Sequence, residues 1–172
     1  MRAKKRGFTL LELMIVVALI GILAAVVIPN WASTSRNKKY DPEISAMMTE
    51  ISTREQQYKQ ENNAFLAAPT CPTNPVPNGS DFNTGCVTGS NAWVTLRVNP
   101  TDSAIRCNYT VTTGLAGTTP SAPAGCTAPS GTLAESWFYI TANCDMDGKG
   151  GTNAQFCMSS WNTKVGNTNY GK

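Results

Sequence analysis

The chain has 172 residues, of which about a hundred remain for a globular part once its apolar amino terminus is set aside, enough for one small α+β domain. It contains no histidine, which excludes Ser-His-Asp and Cys-His nucleophilic arrangements; with no phosphate-binding loop and no obvious pairing of carboxylates, an enzyme is not expected. The formal charge is +3, but four of the 14 Lys and Arg are Arg2, Lys4, Lys5 and Arg6, and the ten that follow face 11 Asp and Glu, so a general nucleic-acid surface is not expected beyond a local patch of Arg97 and Arg106.

That basic leader ends at Gly7, and an apolar run, FTLLELMIVVALIGILAAVVI, extends from Phe8 to Ile28 before Pro29. As a helix rising 1.5 Å per residue it would reach roughly 30 Å, the thickness of a bilayer core. Basic residues ahead of such a segment stay in the cytoplasm, which places the downstream chain outside. Within the run stands one carboxylate, Glu12, and a charge in a membrane segment invites a functional reading. A cleaved secretory signal would carry no charge at the start of its apolar region and would be shorter. A plain single-span anchor leaves Glu12 an accident of the helix end, and neither reading accounts for the order Gly, Phe, Thr, Leu, Leu, Glu.

The sequence KRGFTLLELMIVV resembles the class III signal of type IV pilins and of the related type II secretion pseudopilins. The resemblance covers Lys5 to about Asn30 and implies cleavage by a prepilin peptidase between Gly7 and Phe8, with N-methylation of Phe8. It further implies a homo-oligomeric helical filament, an inner-membrane stage before assembly, an assembly platform, and minor pilins as further partners. Physically, an amine on Phe8 would lie one helical turn from Glu12, and in a bundle the carboxylate of one subunit could neutralise the amine of the next. Leaving either charge unpaired would be costly, so the pair favours one axial register, and Phe8 and Glu12 are the expected assembly determinants. Gly21 and Pro29 weaken the helix between them, either by allowing close packing and a bend or, as the resemblance implies, by letting the segment melt inside a fibre.

The expected organisation is a leader over 1–7, a transmembrane and polymerisation helix over 8–29, its amphipathic continuation over 30–68, and a globular β-sheet part over 69–172. Ile44, Met48, Ile51, Tyr58 and Phe65 form an apolar seam, with Glu55 and Asn62 in between, that fits a helix packed on a sheet. Asp41 and Pro42 suit an N-cap and first helical residue, so a kink or restart is expected at Pro42 within a helix running from Phe8 to about Ala67. Residues 69–92 read as a loop, and Trp93–Val98, Ile105–Thr113, Ser136–Ala142 and Gln155–Trp161 as strands, the last two in a carboxy-terminal hairpin region over 143–161. A second loop is expected over 114–132 and a mobile tail over 165–172. The fold expected is thus α+β: a long amino-terminal helix, its first half membrane-spanning, packed on an antiparallel sheet of about four strands, a disulfide-rich pilin fold.

Six cysteines, at 71, 86, 107, 126, 144 and 157, never form C-x-x-C, and without histidine they suit disulfides in an exported domain better than zinc. Sequence allows fifteen connectivities. The pairing expected is the sequential one: Cys71–Cys86, Cys107–Cys126 and Cys144–Cys157. Asp145, Asp147 and Asn153 resemble part of a calcium loop, but Lys149 stands where an oxygen ligand belongs, so an Asp-Gly turn between strands is the better reading and no cofactor is expected. Three functions stay open: a subunit of an extracellular type IV pilus serving adhesion, motility or DNA uptake; a type II secretion pseudopilin retained in the periplasm; and a minor pilin acting as adhesin or DNA receptor.

Overall fold

Two helices lead the chain, α1 over Leu10–Asn37 and α2 over Tyr40–Asn62, with a turn at Lys38 and Lys39 between them. The computed structural model describes residues 8–102 and 104–171, the stretch 26–37 by its backbone alone. The leader, Gly7 included, lies outside the described residues. The chain divides at Ser35 into two units, which are taken separately below.

The expected continuous helix is therefore interrupted just ahead of Asp41 and Pro42. Lys39, not Asp41, is the N-cap of α2, and it makes no side-chain capping bond. Pro42 falls in the first turn, where the missing N–H would have had no helical partner anyway, and Asp41 and Glu43 set negative charge against the helix dipole. At the other end, Asn63 adopts the left-handed conformation (φ 56°) and donates its N–H to the Lys59 carbonyl, so α2 ends before Ala67.

Five antiparallel strands form the main sheet in the order β1 (Ala68–Cys71), β4 (Asn108–Gly114), β5 (Trp137–Cys144), β6 (Ala154–Ser159), β7 (Asn162–Thr168). A small ribbon pairs β2 (Ser80–Asp81) with β3 (Ala104–Ile105). Several of these depart from the expected elements. The 69–92 loop contributes β1, β2 and the short helix α3 (Phe82–Gly85), and the strand expected at Trp93–Val98 is the helix α4 (Ala92–Leu96). The Asn91 side chain accepts the Val94 N–H and Arg97 closes the turn at φ 54°, so local capping outweighs β propensity there. The expected mobile tail supplies most of β7, and beyond it the Tyr170 hydroxyl lies 2.7 and 2.8 Å from the two carboxylate oxygens of Asp41.

Alternation along the strands puts Tyr109 and Val111, Phe138, Ile140 and Ala142, and Phe156 and Met158 on the buried face, in one apolar cluster with Ile44, Met47, Met48 and Ile51 of α2. Two carboxylates enter this core. Glu43 Oε1 accepts from the amides of Arg106 (2.8 Å) and Cys107 (3.1 Å) and from the Tyr109 hydroxyl (3.2 Å), while Oε2 pairs with the Arg106 guanidinium at 3.2 Å. Burial first, and then the charge of Glu43, holds the Tyr109 phenol well above its ordinary range. Glu55 has no exposed surface; its Oε2 accepts the Leu66 amide at 3.0 Å and no hydrogen bond reaches Oε1. Desolvation pushes its carboxyl up to about 7 despite the Leu66 bond.

Disulfides join Cys71–Cys86, Cys107–Cys144 and Cys126–Cys157. The first follows the sequential order. Cys107–Cys126 and Cys144–Cys157 do not form, because the pairing of Asn108 with Asn143 sets Cys107 directly opposite Cys144, with Cα atoms 4.4 Å apart. Cys157 faces the other side of the sheet, where Cys126 of the 115–133 loop meets it.

Glu55 yields a pH dependence of defined sign. Its folded pKa lies above the unfolded value near 4.5, so its contribution to stability is full below pH 4.5 and is lost as the pH rises through 7. Glu55→Gln should remove that loss, gaining up to about 3 kcal/mol on wild type above pH 7 and little below pH 4.5. Thermal unfolding in detergent across that range measures the difference. Peptide mapping without reductant should return the three pairs above, with no peptide joining Cys107 to Cys126.

Candidate assembly surface

The first described residues make a capping box. Thr9 stands just ahead of α1 and Glu12 three residues later, and the Glu12 Oε2 accepts both the Thr9 N–H and the Thr9 hydroxyl, each at 2.9 Å. In return the Thr9 hydroxyl oxygen accepts the Glu12 N–H at 3.2 Å. This local role for Glu12 stands beside the one expected of it as partner of a neighbour's amine, and the T-x-x-E spacing of Thr9 and Glu12 ahead of an apolar run is its signal in the sequence. The carboxylate is thus turned back toward Phe8, with its second oxygen engaged by no hydrogen bond from within α1.

From there the helix presents apolar side chains on every side. Phe8, Leu10, Leu11, Leu13, Met14, Ile15, Val16, Val17, Leu19, Ile20, Ile22 and Leu23 are between 46 and 79% exposed. A helix apolar all round does not stay in water; it is covered by lipid or by other protein. Among the described residues no helix is long and apolar enough to cross a membrane. The span expected over 8–29 runs into residues whose side chains lie outside the description. The helical backbone passes Gly21 and Pro29 without a break, and a side chain at Gly21 would touch nothing within 4 Å, so no contact within the chain requires that glycine.

The other singled-out residues do not form a site. Asp145 accepts the amides of Gly148 (2.8 Å) and Gly150 (3.2 Å), Asp147 accepts that of Lys149 (3.0 Å), and its carboxylate lies 3.7 Å from the Lys149 ammonium. Both carboxylates are therefore tied into a turn, with Asn153 beyond it leading into β6. Among the described residues no cluster of three or more His, Cys, Asp or Glu could hold a metal. Arg106 is bound to Glu43, whereas Arg97 is exposed at the end of α4, so the expected basic patch reduces to single residues with separate roles.

Residues 2–28 match the family model described as the prokaryotic N-terminal methylation motif. The chain is 40% identical over 62 residues to the type IV wide pilus major component PilA4 of Thermus thermophilus, a match covering 36% of this chain and 47% of that protein. It is 42% identical over 69 residues to the type IV major fimbrial protein FimA of Dichelobacter nodosus (38 and 44% covered). The type II secretion system core protein G of Dickeya chrysanthemi is 29% identical over 85 residues (44 and 55% covered). The chain thus spans about half the length of these relatives. No solved structure matches it.

If the capping box fixes the first turn, Thr9→Ala should weaken it by about 1 kcal/mol and Thr9→Ser should not. Amide exchange at residues 10–13, measured in detergent, should quicken several-fold in the first variant and stay near wild type in the second.

Proposed function

We propose that this chain, whose residues 2–28 match the prokaryotic N-terminal methylation motif, is a structural subunit of the type IV pilin superfamily, which includes the type II secretion pseudopilins, and that it polymerises into an extracellular pilus. The observation that carries the proposal is the first part of α1, up to Leu23, with apolar side chains exposed on all sides and the Glu12 carboxylate turned toward the start of the helix. In this reading a prepilin peptidase cuts between Gly7 and Phe8 and methylates Phe8. The apolar segment waits in the inner membrane, and then the helices of many subunits bury one another in the filament core. Burying a large aliphatic side chain is worth roughly 1.5 to 3 kcal/mol, so a dozen such residues supply an ample driving force against water. Against lipid that gain largely vanishes, and packing and electrostatics must select the register.

Glu12 supplies that selection. The capping box occupies Oε2, and Oε1 can receive the amine of a neighbouring Phe8, in a medium where an unmatched charge is costly. Gly21 and Pro29 are the positions at which the helix would give way under tension, since Gly is a poor helix former and Pro29 has no N–H to donate to the carbonyl of Ala25. An assembly platform and minor pilins would be the accessory partners.

A second reading, a pseudopilin confined to the periplasm, is favoured by the longer alignment with core protein G, 85 residues against 62 and 69 for the two pilins. Shearing cells and sequencing the released fibres distinguishes the two. The proposal expects this chain as the dominant component, beginning at methylated Phe8; fibres lacking it, with the chain held in the cell envelope, would favour the pseudopilin. Glu12→Ala and Glu12→Gln should each reduce fibre yield at least about tenfold while leaving processing and membrane accumulation unchanged, since the lost term is the buried charge pair. Normal fibre yield from either would remove Glu12 from assembly.

A further inference from the structure

On the sheet face turned away from α2, three aromatic rings gather outside the apolar core. Trp137 and Tyr139 project from β5 and stack, with centroids 6.0 Å apart and planes 8° from parallel. Trp161, in the turn between β6 and β7, stands edge-on to both, at 6.0 and 6.4 Å. The indole N–H of Trp137 donates to the Thr118 hydroxyl (2.8 Å) and that of Trp161 to the Thr127 carbonyl (2.9 Å), both in the 115–133 loop. Gly114, opposite Trp137 on β4, leaves room for the indole; any side chain there would run into the ring.

Where β5 begins, this cluster borders an open cleft of about 340 Å³ whose far wall is the last turns of α2. Trp137 and Trp161 give it an aromatic side, and Gln56, Lys59, Glu135 and Ser160 a polar rim. Lys59 lies 4.7 Å from the centre of the Phe65 ring and 3.1 Å from the Glu135 carboxylate, whose side chain is 83% exposed. The two rim charges thus cancel. An anionic ligand would have to displace Glu135 from Lys59, whereas a neutral one leaves the pair intact and finds both donors and acceptors.

The geometry points to this cleft as a binding site for a neutral saccharide. A pyranose ring has an apolar face of C–H bonds, which suits the electron-rich face of an indole, and an equatorial edge of hydroxyls, which suits an amide, a carboxylate and a serine. The cleft volume lies within the range of small-ligand sites, where aromatic walls supply contact and a few polar groups set orientation. Gln56 is exposed on α2 and forms no contact the fold needs, so it can report on binding without altering the core.

The test uses the full chain in a detergent without a sugar headgroup, since an alkyl glycoside would compete. The probe is an array of neutral hexose and N-acetylhexosamine oligosaccharides, beside sialylated and sulfated ones and a single-stranded oligonucleotide. The expected result is retention of neutral saccharides, weakened at least about tenfold by Gln56→Ala and by Trp161→Ala, the loss of one or two good contacts. Should Trp161→Ala fail to fold, Gln56→Ala together with Glu135→Ala decides alone. No retained neutral saccharide, retention unchanged in Gln56→Ala and Glu135→Ala, or preference for the acidic probes would each overturn the assignment. Because the assay uses unassembled chain, it is independent of whether fibres form.

Discussion

Glu43 carries a charge into a place almost closed to water, and two backbone amides, a phenol and a guanidinium surround it there. A buried carboxylate deprived of one such partner typically costs several kcal/mol, so α2 has one acceptable position on the sheet. The same bonds explain why β3 and β4 are separate. Arg106 and Cys107 direct their N–H groups to the helix instead of to a neighbouring strand, and the ladder resumes at Asn108. Cys107 is thereby fixed opposite Cys144, so the break in the strand, the seat of the helix and the second disulfide follow from one carboxylate.

The amino-terminal unit obeys the opposite constraint. Among its described residues the apolar side chains up to Leu23 are left exposed, and the Glu12 carboxylate is satisfied locally by Thr9. Local satisfaction matters because a free carboxylate would resist entry into any low-dielectric environment, lipid or protein, whereas a capped one enters with part of its solvation already replaced. Such a helix suits both of the environments that the proposed function requires, and in that proposal the remaining oxygen would supply the discrimination between registers that apolar packing alone does not.

How much of this could be read from the sequence varied with the range of the forces involved. The amino-terminal methylation motif was legible because it is local and its order is specific. The α2 seam was legible from its period, and Ile44, Met48 and Ile51 are in the core as expected, joined by Met47. Most of what failed was set by partners far along the chain, with one local exception. The Trp93–Val98 segment alternates like a strand, yet an Asn cap and an αL residue close it into a helical turn. The tail became β7 because β6 offered an edge, and the disulfides followed strand register, which no spacing of cysteines reveals. Glu55 sat at a seam position in a polar residue's guise, and its burial with one oxygen unpartnered follows from where Leu66 returns to the helix.

All three disulfides lie in the unit that carries the sheet. Cys71–Cys86 and Cys107–Cys144 brace the β1 edge and the β4–β5 pair, and Cys126–Cys157 draws the 115–133 loop onto the outer face of the sheet. That loop has no strand or helix of its own; the described bonds that tie it to the sheet are the disulfide and two indole donors, while the backbone bonds of Gly117 and Thr118 with Leu133 only close it on itself. Linking residues 31 apart removes chain entropy worth about 4 kcal/mol on the loop-closure model, more than those hydrogen bonds are each worth net. The cover over the aromatic cluster therefore rests on covalent bracing, whereas the cleft beside it has its far wall on α2 and Phe65 of its lining packed against the core.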